Sequence, residues 1–296
     1  MAAPMVSVVI PTYRRPQPLQ RCLAALSRQT VDPTGFEVVV IDDGSPEPVE
    51  GLQRDPAFQN LQLRIVRQDN AGPAAARNRG AREAQGALLA FTDDDCQPRP
   101  DWLALLLEGA SHHPGALIGG STRNGLDDDL YATTSQLIND IVYEHFNGKP
   151  GGATFFASNN MLLPRDDFLR IGGFDEAFPR AGGEDRDFCD RWLAAGLKLN
   201  WQPEAVIEHF HAQSLQRFVN LHFRYGQGAW SYQSGRERRG TGSLRDDMGF
   251  HRLLPKRIQR RLGRPPGYRR SLQIAVVLLL WQAAYAAGYL REAARR

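Results

Sequence analysis

Three times in the first hundred residues, an apolar, β-branched run breaks off into a cluster of polar side chains. Val6-Ser7-Val8-Val9-Ile10 ends at Pro11 to Arg15, Phe36 to Ile41 ends at Asp42 to Ser45, and Ala87 to Phe91 ends at Asp93-Asp94-Asp95. Runs this short and this apolar read as strands buried on both faces. Between them, Leu19, Cys22, Leu23 and Leu26 recur at helical spacing, Leu61 to Val66 reads as a further strand, and Ala74 to Ala84 as a helix of small residues. Alternating strands and helices of this kind predict an α/β fold with a mostly parallel, Rossmann-like sheet flanked by helices. Such sheets bind ligands outside the carboxyl ends of their strands, which is where the polar clusters stand.

The later chain is less regular. Trp102 to Leu107 and Glu184 to Ala195 read as helices, and Gly148 to Gly152 as a loop. The three cysteines, Cys22, Cys96 and Cys189, are odd in number and far apart, which argues against a disulfide framework or a zinc site and fits a reducing compartment. Met1 to Ile10 has no basic segment followed by a long apolar one, so no signal peptide is expected. Net charge is only +3, yet Arg236 to Arg270 carries twelve Lys or Arg against three acidic residues. Beyond it, 271–290 is free of charge and flanked by arginines. This region, 236–296, is expected to be a helical basic extension with an apolar helix over 271–290. That helix is long enough for one membrane span, but its Gln, Tyr and Ala content leaves a membrane-surface helix, a packed helix and a homodimer contact all open. The basic stretch lacks regular aromatic interleaving, so a nucleic-acid partner is not expected.

Several clusters carry chemistry. Neighbouring carboxylates such as Asp93, Asp94 and Asp95 repel one another unless a cation offsets them, and a hard divalent ion does so while gripping substrate phosphates. Asp42 and Asp43 can accept hydrogen bonds from a ribose or a base, although Asp-Gly-Ser is also a common turn. Asn70-Ala71-Gly72-Pro73 leads into a helix bearing Arg77, an arrangement that can face phosphate, and no P-loop sequence occurs. Glu184 and Asp185 at a helix start are either caps or a general base, with Gly182 and Gly183 allowing close approach. His209 and His211, two apart after an apolar run, place both imidazoles on one strand face, where either can complete a metal site.

Taken in order, these stretches resemble family 2 glycosyltransferases of the GT-A fold. The resemblance is carried by Ser7 to Arg15, Val40 to Ser45, Asn70 to Pro73 with Ala76-Arg77-Asn78, and Phe91 to Asp95. It continues through Pro100 to Leu103, Ser158 to Asn160, Gly172 to Glu176 and Gly183 to Asp187. It spans roughly residues 5–235, taken as one domain with a nucleotide-binding half over 1–105 and an acceptor half over 106–235. It implies an inverting, non-processive transfer of a sugar from a nucleoside diphosphate to an acceptor hydroxyl, with Mn²⁺ or Mg²⁺ as cofactor. Pro11, Tyr13, Arg14, Asp42, Asp43, Asn70, Gly72 and Arg77, with Asp93 and Asp94, would bind the nucleotide sugar. Asp43 resembles the residue that meets the base, with UDP the expected carrier. Asp93 and Asp95 resemble the D-x-D pair, with Asp95 the more direct metal ligand, joined by His209 or its competitor His211. Asp185 resembles the catalytic base, beside Glu184. The acceptor would be a glycan, a lipid-linked molecule or a protein, and the location cytoplasmic, at the inner face of a membrane where 236–296 touches one. The Q-x-x-R-W motif of processive members is absent; Phe223-Arg224-Tyr225-Gly226-Gln227-Gly228 stands nearby instead. Two other readings compete: a catalytically silent nucleotide-sugar binder or scaffold, against which the intact acidic sets weigh, and a sugar nucleotidyltransferase, whose Gly-rich first loop Pro11 to Arg15 lacks.

Overall fold

The computed structural model describes residues 4–148, 152–178, 182–262 and 268–295. The loop expected over Gly148 to Gly152 lies largely outside them. The apolar runs form β1 (Val6–Thr12), β2 (Phe36–Asp42), β3 (Gln62–Arg67) and β4 (Leu88–Phe91). Helices α1 (Pro16–Leu26) and α2 (Pro73–Glu83) connect them. The second half contributes β5 (Cys96–Pro98), α3 (Trp102–His112), β6 (Leu117–Asn124), α4 (Leu130–Asn147), β7 (Met161–Pro164), α5 (Arg165–Ile171), α6 (Glu184–Ala194) and β8 (Leu199–His209). Three helices follow: α7 (Leu215–Arg239), α8 (Leu244–Leu262) and α9 (Tyr268–Ala293).

The eight strands form one sheet in the order β3-β2-β1-β4-β7-β6-β8-β5. Strands β1 to β4 pair in parallel, as their apolar sequences require. Beyond them the sheet is mixed, because β7 runs antiparallel to β4 and β6, and β5 antiparallel to β8. Four of the seven pairings among the described residues are parallel, β6 with β8 included, and the antiparallel ones fall in the half where the sequence patterns are weakest. Alternation along β1 sends Val6, Val8 and Ile10 to a core with α1 and α3, and Val9 to a second core with α2, α5 and α6. Aromatic packing dominates the second core: Phe168 and Phe174 each meet Phe91, Phe188 and one another in tilted or edge-on pairs with ring centroids within 5.5 Å.

The helical extension is not a tail. Ile274, Val277, Leu278 and Trp281 of α9 are buried with Ile138 and Ile141 of α4 and Phe218 of α7. Part of the basic charge is used in place: Arg260 and Arg261 of α8 pair with Glu144, and Arg261 also with Asp140, both on α4.

Candidate active site

The β-strand ends, the start of α6 and one side of α7 and α9 enclose a cavity of about 1480 Å³. Pro11, Tyr13, Asp43, Asn70, Gly72, Arg77, Asp93, Asp94, Asp95, Glu184, Asp185, His209 and His211 all line it. Arg14 and Asp42 depart from the sequence expectation. Arg14 lies outside the cavity, with its guanidinium over the Tyr13 ring at 4.9 Å. Asp42 is fully buried and serves the turn that follows β2: it accepts from Ser45 N at 2.9 Å and from Arg67 at 3.3 Å. Of the two readings open for Asp-Asp-Gly-Ser, the turn reading holds for Asp42.

Asp43 holds the next loop. Its carboxylate accepts from Gln68 at 2.8 Å, from Asn70 at 3.1 Å, and from the backbone N–H groups of Ala71 and Gly72 at 2.9 and 2.8 Å. One buried carboxylate thereby ties the β2 end to the start of α2, which carries Arg77.

Asp95 meets the histidines because β5 pairs antiparallel with β8, matching Cys96 to His209, and Phe210 N donates to Asp95 O at 2.9 Å. This pairing closes more than a hundred residues of chain. His209 Nε2 lies 3.2 Å from Asp95 Oδ1, and His211 Nδ1 lies 3.2 Å from Asp95 Oδ2. Both rings sit on one side, with centroids 5.2 Å apart. The three residues each offer one ligand atom within 4.8 Å of the others. A carboxylate and two imidazoles converging on one point fit a divalent cation. Asp93 lies elsewhere: it pairs with Arg77 at 2.6 Å and stands outside this cluster.

The other carboxylates differ in environment. Arg15 Nη1 sits 2.6 Å from Asp95 Oδ2 and 3.2 Å from Asp94 Oδ1. Burial alone would raise the pKa of Asp95, but hydrogen bonds from His209 and His211, then the charges of His209 and Arg15, hold it well below the usual range. Asp94 accepts from Thr12 at 2.7 Å, yet burial pushes its carboxyl up to about 7. Asp185, whose Oδ1 accepts from Arg186 N at 2.8 Å, is pushed up to about 7 by burial and then by the neighbouring Glu184 charge. Glu184 is an anchor: it accepts from Gly182 N at 2.7 Å and lies 3.6 Å from Arg77 Nη1.

Some lining residues carry no distinct signal in the sequence. Arg15 stands out there only as part of the polar cluster after β1. Trp281, Tyr285 and Tyr289 of α9 also line the cavity. Their spacing of four makes a readable aromatic stripe, but nothing local ties it to a site sixty residues and more upstream. Arg186 is held over the rings of Phe146, Phe155 and Tyr232, at 4.4, 5.4 and 5.3 Å, on the same side of the cavity.

An α/β sheet whose strand ends gather basic, acidic and imidazole groups in one cavity has the architecture of the GT-A glycosyltransferases. The chain belongs to glycosyl transferase family 2, whose model matches residues 7–172; a second model, described as the N-terminal domain of galactosyltransferase, matches 139–214. It is 37% identical over 227 residues to the glycosyltransferase AglE of Haloferax volcanii, covering 76% of this chain and 73% of that one. It is 32% identical over 259 residues to the validoxylamine A glucosyltransferase of Streptomyces hygroscopicus subsp. limoneus, covering 74% of this chain but only 57% of that relative's length. Among solved structures it resembles a mannosyltransferase from Pyrobaculum calidifontis in complex with GDP-Man and Mn²⁺, with a TM-score of 0.65, 19% identity and coverage of 100% of this chain and 81% of that one. It also resembles GalNAc-T7 with UDP, GalNAc and Mn²⁺, with a TM-score of 0.59, 18% identity and coverage of 85% and 58%.

Proposed function

We propose that the chain transfers a glycosyl group, non-processively and with inversion, from a nucleoside diphosphate sugar to an acceptor hydroxyl. The observation that carries this reading is the position of Arg77. It sits in one cavity between Asp93 and Glu184, with Nε and Nη1 buried and unpaired by any hydrogen bond among the described residues. A buried guanidinium with open donors beside a carboxylate base suits a diphosphate leaving group.

In this reading Tyr13, the Asp43-held loop and Gly72 frame the base and ribose. Arg77 holds the diphosphate. Asp95, His209 and His211 would hold a divalent cation, Mn²⁺ or Mg²⁺, which when bound offsets the negative charge that builds on that diphosphate. Asp185 takes the proton from the acceptor hydroxyl as its oxygen bonds to the anomeric carbon and the carbon–oxygen bond to the diphosphate breaks. A single displacement of this kind inverts the anomeric centre. Glu184 keeps the base loop in place through Gly182. The acceptor is expected on the side lined by Phe146, Phe155 and Tyr285, where rings can stack on a sugar or an apolar aglycone.

The test is a screen of UDP-, GDP- and dTDP-sugars with Mn²⁺ or Mg²⁺, reading free nucleoside diphosphate, with Asp95→Ala alongside. Release from one donor, lost in the variant, is the expected result. Failure to bind any nucleoside diphosphate by calorimetry would sink the reading.

A further inference from the structure

Helix α9 has two apolar faces, and only one is covered. Ile274, Val277, Leu278 and Trp281 pack against α4 and α7, while Leu272, Val276, Leu279 and Leu290 are 55, 51, 72 and 66% exposed. These four, with Leu280 at 38% and the exposed Ala283, Ala286 and Ala287 that bridge the gap to Leu290, recur at steps of three and four and so form one stripe along the helix. At about 1.5 Å per residue the stripe is about 27 Å long. An unbroken apolar stripe of this length on the outside of a protein marks an interaction surface.

We infer that this stripe seats the protein on an anionic membrane surface, with α9 lying in the plane of the interface. Charge selects this occupant. Exposed Arg269 extends the stripe at one end, and exposed Arg291 and Arg295 extend it at the other. Glu292 is the sole acidic residue from Tyr268 to the end of the chain, and it is buried. A second copy docked on the stripe would bring arginine against arginine in either orientation, with no carboxylate on this face to answer them. Anionic headgroups answer them directly.

The packing selects the orientation. Arg269–Ala293 is long and apolar enough to cross a bilayer. Crossing would strip Trp281 and its neighbours from α4 and α7, or would carry exposed Arg217 and Arg224 of α7 into hydrocarbon. Lying flat costs neither. Leu290 belongs to the stripe and also lines the active-site cavity, so docking brings the cavity to the lipid surface.

The experiment is co-sedimentation of the full chain with vesicles of phosphatidylcholine, with and without one-third phosphatidylglycerol. We expect at least roughly tenfold stronger partitioning to the anionic vesicles, and a loss of at least roughly tenfold in the Val276→Glu/Leu279→Glu variant. Circular dichroism melting of that variant, and of Val276→Gln/Leu279→Gln as a milder second, separates lost docking from lost folding. Equal partitioning of wild type and both folded variants overturns the inference. So does light scattering that shows a wild-type dimer and a monomeric variant, since the stripe would then belong to a second copy. Binding is read without donor or acceptor, so its failure is distinct from a failure of the transferase reading.

Discussion

Arg77 Nη2 lies 2.6 Å from Asp93 Oδ1, and the pair locks helix α2 to the end of strand β4. The same guanidinium reaches towards Glu184 at the start of α6, so one buried cation balances two carboxylates from different elements. Truncating it leaves both uncompensated. Arg77→Gln is expected to cost about 3 kcal/mol of folding stability, read by denaturant unfolding. It should also weaken nucleoside diphosphate binding at least roughly tenfold, read by calorimetry, because hydrogen bonds to charged groups are worth about 1.5–3 kcal/mol. Unchanged affinity in a folded variant would remove Arg77 from the donor site.

Asp185 is the candidate base, and its environment gives a pH signature. Burial and then the Glu184 charge raise its carboxyl to about 7. A base works only when unprotonated, so kcat should rise with pH through about 7 and level off above it. Glu184→Gln removes the second cause and should move that limb to lower pH. Asp185→Asn should lower transfer by about 10²–10⁴-fold with donor affinity nearly intact. A flat profile from pH 5.5 to 8 would exclude Asp185 as the rate-limiting base.

The part of this design legible in the sequence is the part fixed locally. β-branched runs such as Val38-Val39-Val40-Ile41 form strands wherever they are buried on both faces, so the run itself marks which residues stand at a strand end. Asp42 and Asp43 illustrate the limit. They are adjacent and chemically identical, yet one closes a turn and the other holds the loop leading to Arg77, because alternation sends them opposite ways. Arg15 on Asp95 and the β5–β8 pairing depend on contacts across 80 or more residues, which no local pattern encodes. The aromatic wall from α9 is hidden for the same reason: its stripe is readable, but its partner is not.

The Asp95–His209–His211 cluster, read as a metal site, carries a prediction about the ion. Two of its three candidate ligand groups are imidazoles, from His209 and His211. Mg²⁺ favours oxygen ligands and near-ideal octahedral geometry, whereas ions further along the first transition row accept imidazole more readily. Mn²⁺ should therefore bind at least roughly tenfold more tightly than Mg²⁺, read by calorimetry or by the Mn²⁺ electron paramagnetic resonance signal. His211→Ala and Asp95→Ala should each weaken Mn²⁺ binding, Asp95→Ala the more, because both imidazoles are oriented by that one carboxylate. If His211→Ala leaves Mn²⁺ affinity intact while His209→Ala abolishes it, the ligand set narrows to His209.

Gly288 on α9 decides whether the extension stays part of the catalytic body. A Cβ at this position would collide with the carbonyl oxygen of Phe223 on α7, and a Cβ at Gly226 would collide with that of Tyr285. The two helices therefore meet backbone to backbone, a close approach that glycine permits. A larger residue at 288 cannot be absorbed by a rotamer change, because its nearest neighbours are main-chain atoms. Gly288→Leu is expected to cost at least the roughly 1–3 kcal/mol of an overpacked core and to lift α9 away. Trp281, Tyr285 and Tyr289 would leave the cavity wall with it, while the strand ends that carry Asp43 and Asp95, and helix α2 that carries Arg77, would keep their own packing. Limited proteolysis should then cut α9 faster than in the wild type. Nucleoside diphosphate binding should persist as transfer to acceptor falls. Loss of both together would mean that α9 supports the whole domain rather than the acceptor side, and loss of neither would place the acceptor elsewhere in the cavity.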